Sequence, residues 1–214
     1  AQLIVPYSDR PELPEPLPIV RDQPIMVEGF NNTDRVSLSL GFRVPPSSDS
    51  EHAALNIITE VLGGGRASSL NKKLRQNGLV YSVFAYKDVN IDSGTWDVTT
   101  STTKENVQKV IDVIADETKR VTDHGLSAEE VSFAQKKMMK SFPFSLETAY
   151  QWLNWHAKLE LTRSQPYTVE EYSEDILRVA PGDTMEVAQK YFGAGKEYLG
   201  MCGNISAEDV RVKL

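Results

Sequence analysis

Hydrophobic and polar residues alternate most regularly where Val36, Leu38, Leu40, Phe42 and Val44 are separated by Ser37, Ser39, Gly41 and Arg43. A period of two predicts a strand with one buried face and one face open to water or a second layer. Pro45 and Pro46 stop it. The period then changes. Ala54, Ile57, Ile58, Val61 and Leu62 form the stripe of an amphipathic helix, with Ser48 and Glu51 spaced as a capping box and Gly63, Gly64 and Gly65 at its end. Residues 19–28 predict a first strand, in which Pro24 suits a sheet edge. Residues 80–89 and 95–102 predict two more, joined through Asp92-Ser93-Gly94 as a hairpin.

The second half of the chain reads as helical. Thr102 with Glu105 opens a helix whose Val107, Val110, Ile111, Ile114 and Val121 share a face, and Gly125 caps it. Ser127 with Glu130 opens the next, which ends or kinks near Pro143. Further helices are expected over about 146–161, from Thr168 with Glu171, and over 183–192. Residues 198–202 predict a strand that returns to the sheet. The expected fold is α+β: a largely antiparallel or mixed sheet with several helices packed mainly on one face.

Candidate chemistry concentrates in residues 61–86, VLGGGRASSLNKKLRQNGLVYSVFAY. The three glycines do not form a phosphate cradle. They follow a helix, not a strand, and Arg66-Ala67-Ser68-Ser69 takes the place of the Lys-Ser/Thr pair that a P-loop needs. After them come a short basic helix bearing Arg75, a break at Asn77-Gly78 and a strand beginning with Tyr81. This Gly-rich turn leading into LR…GLxYSV resembles the second-half signature of the insulinase/pitrilysin zinc peptidases, the inverzincins. That family's metal site is an H-x-x-E-H helix. The only histidines here are His52, His124 and His156, and no two lie four residues apart.

The resemblance therefore implies the zinc-free half of such a peptidase, with no catalytic residue, metal or cofactor in this chain. It implies zinc in a partner domain, carried on the same polypeptide or on a separate subunit, and peptide substrates between the two. Arg75 and Tyr81 become the substrate-binding pair, reaching toward the scissile peptide at the other half's metal. Gly63, Gly64 and Gly65 become a flexible turn lining the substrate cavity. The common family spacing from Arg to Tyr is seven residues, and here it is six. The isolated chain is expected to be inactive. The alternative is a scaffold homologue with no proteolytic role, like the insulinase-type core subunits of respiratory complexes.

The remaining candidates carry less chemistry. His52 reads as a surface histidine, His124 as a helix-end residue, and His156 as part of an aromatic face with Trp152 and Trp155. Cys202 reads as a small hydrophobe on a buried strand. Being single, it excludes an intrachain disulfide and leaves the compartment unread. Hydrophobic residues at 40% and charged residues at 25% suit an ordinary globular chain. A net charge of -7 argues against nucleic acid, and no apolar run approaches the ~20 residues of a membrane span. A soluble protein of the bacterial cytoplasm or periplasm is the expectation. Five prolines between Pro6 and Pro18 set residues 1–18 apart as a stiff leader or linker before a domain over 19–214.

Overall fold

The computed structural model of the protein describes residues 25–29, 33–46, 51–162 and 167–211. Among these described residues five strands form one mixed sheet in the order β1-β5-β2-β4-β3: β1 Ile25–Gly29, β2 Arg35–Val44, β3 Val83–Val89, β4 Gly94–Thr103 and β5 Glu197–Gly203. β1 runs parallel to β5, and every other pairing is antiparallel. The expected α+β sheet is therefore present, with β1 at one edge. Residues 1–24, which hold the proline-rich leader and Pro24, lie outside the described residues, as does Ser48 of the expected capping box.

The alternation of β2 sets the layering. Phe42 lies opposite Trp96 and Leu40 opposite Val98 across the β2–β4 ladder, so their side chains share a face. Helices α1 His52–Gly63, α2 Val107–His124 and α6 Pro181–Tyr191 cover that face. Phe192, just past α6, packs its ring 5.0 Å from Phe42 and 4.8 Å from Trp96, between centroids. The indole of Trp96 donates to Thr59 Oγ1 at 2.9 Å, so its single polar atom is satisfied inside the core. Ile57, Ile58 and Leu62 of α1 and Ile111 and Ile114 of α2 complete the cluster, all fully buried.

The other helices extend this layer. α3 Ala128–Ser141 and α5 Val169–Arg178 each begin with the capping box read from the sequence, Ser127 with Glu130 and Thr168 with Glu171. α3 runs into a 3-10 turn, Phe142–Leu146, at Pro143, and α4 Ala149–Thr162 follows. One expected cap is wrong. Thr102 lies within β4, where its buried hydroxyl donates to the Leu79 carbonyl at 2.6 Å, and α2 begins only after a 3-10 turn over Lys104–Asn106.

The opposite face of the sheet is built from Ser37, Ser39, Thr99 and Ser101 with Met26, Phe84 and Cys202. It forms a depression of about 860 Å³. Cys202 is exposed here, not buried. β5 turns Leu199 and Met201 to the core, so parity sends residue 202 to the open side.

Candidate functional site

The segment between α1 and β3 is built around one buried leucine. Residues Asn71–Arg75 form a π-helical turn, closed by the Gln76 amide on the Asn71 carbonyl at 3.3 Å. Such wide turns are uncommon and recur at functional positions. Leu74 is fully buried, while Arg75 on the next position is exposed. Beside it, Lys73 pairs with Glu117 of α2, a carboxylate only 1% exposed, and Arg120 stands 3.4 Å from the same group. Burial works to raise the Glu117 carboxyl, but the Lys73 hydrogen bond and the neighbouring Arg120 charge hold it below the ordinary range. The turn that carries Arg75 is thus anchored to α2 by an ion pair with one buried member.

Beyond Gly78, whose φ of +72° supplies the left-handed turn, the chain reaches Tyr81 without forming a strand. β3 starts at Val83 and not at residue 80, because the carbonyls of Leu79, Tyr81 and Ser82 are taken by side chains. Thr102 donates to Leu79, Thr100 to Ser82 at 2.6 Å, and Arg75 Nε to the Tyr81 carbonyl at 3.1 Å. The last bond brings the two expected site residues together despite their six-residue spacing. Tyr81 is 81% exposed, so it does not pack on a helix. Among the described residues no carboxylate pairs with Arg75. Ser82, the residue after Tyr81, lines the open-face depression together with Phe84. Within that face, burial pushes the Asp97 carboxyl up, against hydrogen bonds from Thr95 and Ser39.

The three glycines occupy a different position. Gly63 is buried, and a Cβ there would collide with the backbone and Cβ of Ala85 in β3. Its hydrogen lets α1 approach the sheet closely. Lys137 of α3 pairs with Glu60 and bonds the Gly64 carbonyl, and Gly65 has a φ of +122°. The lining of the open-face depression does not include Gly63, Gly64 or Gly65. Residues on both sides of the turn, Glu60, Val61, Ala67 and Ser68, line a second cavity of about 390 Å³.

The histidines do not fit a zinc site. Among the described residues no three of His, Cys, Asp and Glu gather as metal ligands would. His156 stacks on Trp152 at 5.6 Å and meets Trp155 edge-on at 5.0 Å, as its sequence neighbours suggested. His52 is not a surface residue: it is half-buried, between the Pro46 carbonyl and Lys87.

Sequence reasoning missed Thr100, Thr102 and Glu117. Only Glu117 had a signal. It falls on the stripe of Val110, Ile114 and Val121, where an unpaired carboxylate would be too costly to bury.

The family profile described as "Peptidase M16 inactive domain" matches residues 5–138. The chain belongs to this family. Membership fits both the missing H-x-x-E-H motif and the sheet with helices on one side. An uncharacterized zinc protease of Streptomyces coelicolor is 28% identical over 162 residues, covering 75% of this chain and 35% of the relative. The chain thus spans about a third of that protein's length. Among solved structures, a peptidase M16 inactive domain from Pseudomonas fluorescens superposes with a TM-score of 0.77 at 18% identity, covering 86% of this chain and 44% of that one. A chain of complex III from Candida albicans also gives 0.77, at 14% identity, covering 87% of this M16 domain and 49% of that chain. These two likenesses concern the fold alone. Among the described residues, no helix is long and apolar enough to cross a membrane.

Proposed function

We propose that the protein is the substrate-binding half of a zinc metalloendopeptidase, closing a chamber over peptides held at a separate H-x-x-E-H domain. The observation that carries this reading is the 3.1 Å bond from Arg75 Nε to the Tyr81 backbone carbonyl, which ties a guanidinium with no carboxylate partner among the described residues to the backbone of an exposed tyrosine. The guanidinium keeps its charge and its terminal N–H donors, and the phenol adds one O–H. Donors of this kind stabilise a peptide carbonyl oxygen as negative charge develops on it. The zinc-bearing partner, on the same polypeptide or a separate subunit, would supply the activated water. This chain's own part is to orient the peptide and exclude solvent. In the same reading Gly63, Gly64 and Gly65 form a turn lining the substrate cavity. Residues 1–18 are a leader or linker in this reading, and residues 19–214 the domain itself.

The test uses the assembled peptidase, with the zinc-bearing partner present. Arg75→Ala and Tyr81→Phe should each lower kcat by about 10–100-fold, at or below the usual loss for one oxyanion donor, while changing KM less. Zinc content, measured by elemental analysis, should stay at the wild-type level. Full activity in both variants would sink the reading. The fold likeness to a complex III chain supports a second reading, a scaffold with no proteolytic role. That reading expects no peptide cleavage with any zinc-bearing partner, and assembly unaffected by either variant.

A further inference from the structure

Lys87 is built unlike the paired lysines of this chain. Lys73, Lys104, Lys137 and Lys190 each pair with a carboxylate: Glu117, Asp209, Glu60 and Glu51 respectively. Lys87 lies on β3 opposite the buried Trp96, so its side chain enters the helix-covered face. There its Nζ meets His52 Nδ1 at 2.9 Å and the His52 carbonyl at 3.4 Å. The other ring nitrogen, Nε2, is 2.7 Å from the Pro46 carbonyl. A carbonyl can only accept, so Nε2 carries the ring proton and Nδ1 is the acceptor for Lys87. The charged group facing it from α4 is Lys158, a second cation. Its strand neighbour Asp88 points to the other face, where it acts on Asp97. Burial first, and Lys158 second, bring the Lys87 amine down to about 7.

A neutral amine has two N–H bonds and one lone pair. Both N–H bonds have acceptors in His52, which leaves the lone pair unassigned on a half-buried side chain. Nucleophile, base and a group orienting the base, each within hydrogen-bond reach of the next, is the arrangement that activates covalent chemistry in proteins. We propose that Lys87 is a covalent modification site that accepts acyl groups from small acyl phosphates, with His52 as its base and the Pro46 carbonyl orienting the imidazole. The lone pair of Nζ attacks the acyl carbon and forms the C–N bond. The C–O bond to phosphate breaks, and phosphate leaves with the electron pair. The surplus proton on nitrogen passes to His52 Nδ1, and then to solvent. The imidazolium formed on the way keeps its Nε2–H on the Pro46 carbonyl. The product is a neutral amide, which removes the buried amine's charge from beside Lys158. This inference stands apart from the peptidase reading and uses none of its residues.

The experiment is incubation of the full chain with acetyl phosphate, followed by peptide mass spectrometry of each lysine. Lys136 and Lys140, both exposed, serve as internal standards. At about pH 7.5, Lys87 should acetylate at least about tenfold faster than either, because an amine brought down to about 7 is largely neutral there. Its rate should level off above about pH 8, once the amine is wholly neutral. His52→Asn keeps an acceptor near the Nδ1 position but cannot take a proton. It should slow Lys87 by about tenfold or more and leave Lys136 unchanged. Equal rates at Lys87 and Lys136 in the wild-type chain would overturn the proposal. So would an unaltered Lys87 rate in folded His52→Asn, or phosphate binding at this position without acylation. Should His52→Asn fail to fold, the levelling of the wild-type pH profile decides.

Discussion

The two faces of the sheet come from the same strands but answer to different demands. On the covered face Phe42, Trp96 and Phe192 pack ring to ring, and the indole N–H is bonded to Thr59. On the open face Ser37, Ser39, Thr99 and Ser101 leave a depression rimmed by Met26 and Phe84. Their short hydroxyl side chains tolerate water or a second surface equally well. The contrast teaches where mutation is costly: residues one position apart on the same strand differ in what they hold. The exposed pair of Arg75 and Tyr81 lies next to the open side, through Ser82, and the structural anchors lie on the covered one.

Several substitutions can break or sharpen this contrast. Phe192→Ala removes the ring that joins Phe42 to Trp96 and should cost about 3–5 kcal/mol in urea unfolding. A loss under about 1 kcal/mol would mean that the covered face is not one packed core. Gly63→Ala should cost about 1–3 kcal/mol, because the new methyl meets the β3 backbone at Ala85, which cannot swing aside as a side chain would.

Lys87→Met should act in the opposite direction and stabilise the fold by about 1 kcal/mol or more near neutral pH, by removing an amine from a site that disfavours its charge. The pH dependence has a definite sign. The amine titrates at about 7 in the folded chain against 10.5 ordinarily, so between these values the unfolded chain holds more protons. Wild-type stability therefore rises with pH across that window, and the penalty is constant below it. The advantage of Lys87→Met should be largest below pH 7 and should fade toward 10.5. An advantage that grows with pH, in paired denaturant titrations, would contradict this. Ser39→Ala and Thr99→Ala, on the open face, should each shift stability by no more than about 0.5 kcal/mol. A larger loss would show that the open face also carries fold energy.

What could be read from the sequence was what the sequence encodes locally. The capping boxes at Ser127 and Thr168 rest on contacts three residues apart, and both hold. Thr102 with Glu105 has the same local pattern but fails, because the Thr102 hydroxyl meets the Leu79 carbonyl, brought beside it by the pairing of β3 with β4. The late start of β3 was illegible for the same reason, since it depends on Thr100 and Thr102 of another strand. Cys202 was legible in principle: once Leu199 and Met201 are assigned to the core, strand parity sends it outward. The Arg75–Tyr81 pairing could be anticipated only from the resemblance. The contact of His52 with Lys87 spans 35 residues and left no trace in composition or spacing.

The place of β5 in the sheet has a consequence for how the chain is made. β5 lies between β1 and β2, so among the described residues β1 has no strand partner until β5 arrives. At ribosomal speeds, the time from β1 to β5 is about 10–30 s. For that interval no other described strand covers β1 or the β5 side of β2, and each can recruit a wrong strand. Release of the last strand from the ribosome is therefore the event that closes the sheet.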